Sequence, residues 1–164
     1  MPKNVVKKDF VQSDELRDIA EKVMSEKGID LSMAKIEYFL VYPNVSKKVA
    51  GMCVRTSREL KYFSEFDYLV EMSGDLWDNL SDEVRYLLMY HELMHIYPIY
   101  NEKKDEWRFS LRRHDIEDFR SIVGPHGVDW LTQVETIQQS LIDSENDKKK
   151  KSKDKEAEET NWQI

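Results

Sequence analysis

The residues best suited to chemistry in this chain lie in one stretch, His91-Glu92-Leu93-Met94-His95. Two histidines four positions apart project from one face of a helix about one turn apart, so their ring nitrogens can be aimed at a single metal ion. Glu92 is rotated by roughly 100° from His91 on such a helix, which sets its carboxylate beside a metal-held water and not on the metal. That arrangement suits a metal hydrolase. Zinc acidifies the water and polarises a carbonyl, and the carboxylate takes the proton.

A catalytic zinc ion usually has three protein ligands and one open position. Pro98 and Asn101 stand where the metzincin extension requires glycine and histidine, so that subclass is excluded and the third ligand must come from farther along the chain. His114 is the expected ligand. Asp115, Glu117 and Asp118 are its rivals, and a carboxylate there would make the site thermolysin-like. Asp118 falls one turn after His114 on a helix and is a candidate to orient it. His126, between Pro125 and Gly127, is a loop residue and a candidate substrate contact, while Tyr97, Tyr100, Arg112 and Arg113 are candidates to stabilise an oxyanion.

The elements that must position these groups are legible in outline. Ser13 followed by Asp14 and Glu15 signals a helix start, apolar residues recur at helical spacing from Leu16 to Met24, and Gly28 offers a stop. Strands are expected over 34–42, ended by Pro43-Asn44, and around 48–55 and 67–73, with a polar stretch at 56–59 between the last two. Ser81-Asp82-Glu83 opens the helix that carries both histidines, with Pro98 stopping it near Tyr97. Ser110 is the expected cap of a third helix running to Val123. Its N-terminal dipole would keep His114 neutral and able to bind metal. A fourth amphipathic segment carries Trp130, Val134, Ile137 and Leu141. The pattern is α+β: a small, mostly antiparallel sheet packed on helices.

Composition narrows the rest. The 164 residues hold 25 basic and 32 acidic side chains, a net charge of −7, which argues against a protein held on nucleic acid by bulk electrostatics. Residues 1–142 are expected to form one domain and 143–164 a charged, disordered tail. The tail holds six lysines against seven carboxylates, so the acidity belongs mainly to the domain. A single cysteine, Cys53, allows no internal disulfide and points to the reducing cytoplasm. The charged N-terminus does not read as a signal peptide, and no apolar run reaches the ~18 residues of a membrane span.

Three blocks carry a resemblance. Tyr68-Leu69-Val70-Glu71-Met72-Ser73-Gly74-Asp75-Leu76-Trp77, the segment 81–97 with its His-Glu-Leu-Met-His core, and His114-Asp115-Ile116-Glu117-Asp118-Phe119 resemble the metallopeptidases of phages and mobile elements, a family related in pattern to the SprT-like proteases. The resemblance covers roughly residues 30–135. It implies a minimal zincin-like fold, one zinc ion on His91, His95 and His114, and Glu92 as general base. It also implies that a strand before the motif, here 67–73, pairs with an extended protein or peptide substrate. SprT-like proteases commonly carry a C-terminal zinc ribbon or DNA-binding extension, where this chain has its mixed-charge tail. The expectation is a cytoplasmic zinc endopeptidase. Alternatives are a peptidase restricted to one regulatory partner of a mobile element, or a non-catalytic protein-binding module. Oligomeric state is left open.

Overall fold

Ser13 accepts a hydrogen bond from the Leu16 amide at 3.2 Å and so starts α1 (Asp14–Lys27). Gly28 ends it with φ +65°, a left-handed conformation that glycine adopts without a Cβ clash. The computed structural model describes residues 6–114, 122 and 129–161. Its main sheet contains β1 (Asp9–Gln12), β2 (Ile36–Tyr42), β3 (Gly51–Arg55) and β4 (Tyr68–Ser73), in the order β1-β2-β4-β3. The β1–β2 and β3–β4 pairs are antiparallel and β2–β4 is parallel, so the sheet is mostly antiparallel as the pattern suggested.

This order corrects one expectation. Strand β4, read as the substrate-pairing edge, lies inside the sheet with β2 on one side and β3 on the other. Its backbone groups are already spent. The edge on that side is β3.

Alternation along the strands turns Tyr38, Leu40, Tyr68, Val70 and Met72 into the core, where they meet Leu16, Ala20 and Val23 of α1. The other wall is α4 (Asp82–Met94), which buries Val84, Leu87, Leu88, Met89 and Leu93. Each such side chain contributes roughly 1.5–3 kcal/mol by leaving water, so the histidine-bearing helix is held by its apolar face. Ser81 caps it, accepting from the Val84 amide at 3.4 Å. Two short helices complete this part: α2 (Arg58–Ser64) and α3 (Gly74–Asp78). The first replaces the expected polar connection, and Ser57 caps it by accepting from the Leu60 amide at 3.1 Å.

After α4 the chain departs from the expected path. The helix ends at His95 and not near Tyr97, and a two-stranded antiparallel sheet follows, β5 (Ile96–Asn101) with β6 (Glu106–Leu111). Ser110 therefore sits inside β6, paired with Tyr97, and caps no helix. His114 lies in irregular chain just past the hairpin. Most of the expected third helix falls at 115–121 and 123, outside the described residues.

The last element, α5 (Asp129–Asn161), packs Trp130 and Val134 into the core and sets Ile137 and Leu141 against it. It also continues through the charged segment that composition assigned to a disordered tail. Lysine and glutamate are good helix formers, and Glu145 faces Lys47 at 4.0 Å. No described helix is long and apolar enough to cross a membrane.

Candidate metal centre

His91 occupies the last turn of α4 and His95 its C-cap, so one helix presents both rings in the i, i+4 relation. The hairpin then returns the chain to deliver His114. Its Nε2 lies 3.0 Å from Nε2 of His91 and 3.0 Å from Nε2 of His95. One ligand atom from each of the three residues falls within 4.8 Å of the others. His91 and His95 are half-buried and His114 is exposed, so the cluster opens to solvent on one side.

The tautomer of His95 follows from its neighbour. Nδ1 lies 2.7 Å from the carbonyl oxygen of Arg112. A carbonyl can only accept, so Nδ1 carries the hydrogen, and in the neutral ring Nε2 is left with a lone pair facing the cluster. The Arg112 amide donates in return to the His95 carbonyl at 2.7 Å, extending the hairpin ladder by one pair. On the far side Trp130 packs its ring edge-on to His91, with centroids 5.9 Å apart.

The hairpin is anchored to the sheet by Tyr68, whose hydroxyl donates to the Ser110 carbonyl at 2.7 Å and whose ring meets Phe109 edge-on at 5.9 Å. Burial pushes that hydroxyl up to about 12, so it stays a donor. Arg55 at the end of β3 adds a hydrogen bond to the Phe109 carbonyl at 3.3 Å.

Glu92 follows His91 on the same helix and is only 4% exposed. It lies against β3: an ideal Cβ built on Gly51 would stand 3.1 Å from its Oε1. Burial pushes the Cys53 thiol on the same strand well above its ordinary range, and the nearby Glu92 carboxylate adds to the shift.

A family model described as "Putative phage metallopeptidase" matches residues 8–144. The chain belongs to this family. No curated protein and no solved structure matches it significantly.

Membership in the phage metallopeptidase family implies a metal, and the donor set fits one. Tetrahedral coordination at about 2.0–2.1 Å places ligand nitrogens about 3.3 Å apart, close to the 3.0 Å separations seen here. In the neutral ring, Nε2 of His95 turns a lone pair towards the cluster, as a metal ligand must.

Among the other expected site residues, Tyr97 is half-exposed on β5, and Arg113 is exposed between Arg112 and His114. Tyr100 is spent elsewhere, at the outer end of the hairpin, where its ring packs at a tilt against Trp107 with centroids 5.2 Å apart and its hydroxyl bonds Asp105. Asp115, Glu117, Asp118 and His126 lie outside the described residues. Sequence reasoning missed the Arg112 carbonyl, which has no side-chain signature, and the closeness of Gly51 to Glu92.

Proposed function

We propose that this member of the phage metallopeptidase family is a zinc-dependent endopeptidase, with His91, His95 and His114 holding the ion and Glu92 moving the proton. The convergence of three imidazole Nε2 atoms, with Glu92 adjacent to His91 on the same helix, carries the reading. Zinc is favoured because the donors are imidazoles, and three of them leave a fourth, open position. When bound, zinc supplies charge that acidifies water and polarises the scissile carbonyl. Glu92 takes the proton of the attacking water at a carboxylate oxygen and returns it to the leaving amine nitrogen. Burial keeps bulk water from competing for that oxygen.

The peptide substrate would lie along β3. Ala50 and Ser73 form a hydrogen-bonded pair, since the Ser73 amide donates to the Ala50 carbonyl at 2.8 Å. Counting from there, Met52 and Val54 spend their backbone groups on β4, and Gly51 and Cys53 direct theirs to the outer edge. An extended peptide adding to that edge would run beside Glu92. The single cysteine supports a reducing cytoplasmic setting.

Metal analysis of the purified protein tests the first half: about one zinc per chain is expected. A Glu92→Gln variant should retain that zinc and lose roughly 10²- to 10⁴-fold in turnover of an unfolded protein substrate. Undiminished turnover in that variant would exclude the mechanism.

A further inference from the structure

We infer that Gly51 is a positioning residue for Glu92: the side chain it lacks is the space in which the carboxylate rests. The catalytic consequence rests on the peptidase reading above. The spatial claim stands on its own geometry. A Cβ at residue 51 would lie 2.7 Å from Met72 Sδ, 3.1 Å from Glu92 Oε1 and 3.2 Å from the Glu71 carbonyl oxygen. Backbone conformation does not call for glycine at this position, since Gly28 has a positive φ and Gly51 does not. Space is the requirement.

The strand cannot back away to make room. Ser73, 2% exposed, clamps the chain just before Gly51. Its amide holds the Ala50 carbonyl, its hydroxyl donates to the Val49 carbonyl at 2.6 Å, and the same oxygen accepts from the Val45 amide at 3.0 Å. Residue 51 is also in register with Met72 on β4. A methyl group here must therefore displace a side chain. Met72 is fully buried and packed on every side, so the strain is shared with the carboxylate. A shift of a few tenths of an ångström, or a change of rotamer, moves the proton acceptor without touching His91, His95 or His114.

Glycine at 51 thus does two things for the edge strand. It lets β3 approach the histidine-bearing helix closely, and it leaves the base a seat bounded by backbone, which does not move as a flexible side chain would. This is a requirement on the strand that no histidine motif reveals.

The test compares Gly51→Ala, Met72→Ala and the double variant with the wild type. Met72→Ala removes the sulfur and leaves the Glu92 contact unchanged. Gly51→Ala is expected to lower kcat by roughly tenfold or more, since small misplacements of a reacting group cost up to about 10²-fold, with KM and zinc content unchanged. The double variant removes the sulfur contact yet should not recover kcat, and Met72→Ala alone, though less stable for the cavity it leaves, should keep kcat within a few-fold. Crystal structures of wild type and Gly51→Ala read the seat directly: the carboxylate should be displaced and the three imidazoles unmoved. Superposable carboxylates would overturn the inference, as would recovery of kcat in the double variant or loss of fold in both Gly51 variants. An inactive wild type, or an active Glu92→Gln, would instead remove the peptidase reading and leave the structural comparison to decide the seat.

Discussion

The Nδ1 atom of His95 and the carbonyl oxygen of Arg112 stand 2.7 Å apart, joining the end of the histidine-bearing helix to the far strand of the hairpin that follows it. This contact ties the tautomer of one proposed ligand to the backbone path that delivers another. Whatever loosens the hairpin therefore affects His95 and His114 together.

Tyr68→Phe tests that coupling. It removes the hydroxyl that holds the Ser110 carbonyl and should cost about 1 kcal/mol in stability. It should also weaken metal binding, by less than the roughly 10- to 100-fold typical when a ligand loses its own partner. Thermal unfolding and competition against a chromophoric chelator measure the two effects.

His114→Ala should abolish tight metal binding while leaving the fold unchanged, because the side chain is exposed and buries no core surface. A metal-to-protein ratio falling from about one towards zero, with an unaltered far-ultraviolet circular dichroism spectrum, is the expected pair of results.

Ser81→Ala removes the hydroxyl cap of α4 and should destabilise the protein by about 1 kcal/mol. Zinc stoichiometry should hold, since the cap lies at the opposite end of the helix from His91 and His95. Chemical denaturation with a parallel metal assay separates the two.

Glu71 gives a pH signature. Burial raises its pKa above the ordinary value, and Lys8 only partly opposes the shift. The folded state thus binds the proton more tightly than the unfolded state. The associated stability is fully present below the unfolded value of about 4.3 and is lost as pH rises through the higher folded value. Glu71→Gln should flatten this dependence, which denaturation midpoints taken across that window will show.

Cys53 should resist alkylation. Burial and the Glu92 charge keep its thiol protonated far above neutrality, and the thiolate is the reactive form. Iodoacetamide at pH 8 should label the native protein much more slowly than the protein in denaturant, as mass spectrometry can follow.

What the sequence disclosed and what it hid follow a physical division. Helices α1 and α4 were legible because their ends are written in side chains: Ser13, Gly28 and Ser81 act where they stand. The motif His91-Glu92-Leu93-Met94-His95 was legible because helix periodicity converts spacing into direction, and His114 joins it as its distance along the chain suggested. The hairpin was hidden because Pro98 read as a helix stop and Ser110 as a helix cap. Pro98 is tolerated in β5 for a reason visible only in the pairing. His95 and Arg112 form a hydrogen-bonded pair, so the opposed residues Pro98 and Phe109 form a non-bonded one, and β6 never asks for the missing proline N–H. The interior position of β4 was likewise hidden, because strand order is set by pairing between segments distant in the chain.

The hairpin also has an entropic meaning. Two of the proposed ligands share one rigid helix, and the third is tethered to it by a chain whose path is already laid down by strand pairing. Engagement of His114 is therefore an intramolecular event at high effective concentration, with little loop entropy left to lose when an ion arrives. A metal site assembled this way would be a preformed chelate, in which most of the ordering cost falls on folding and little on metal capture.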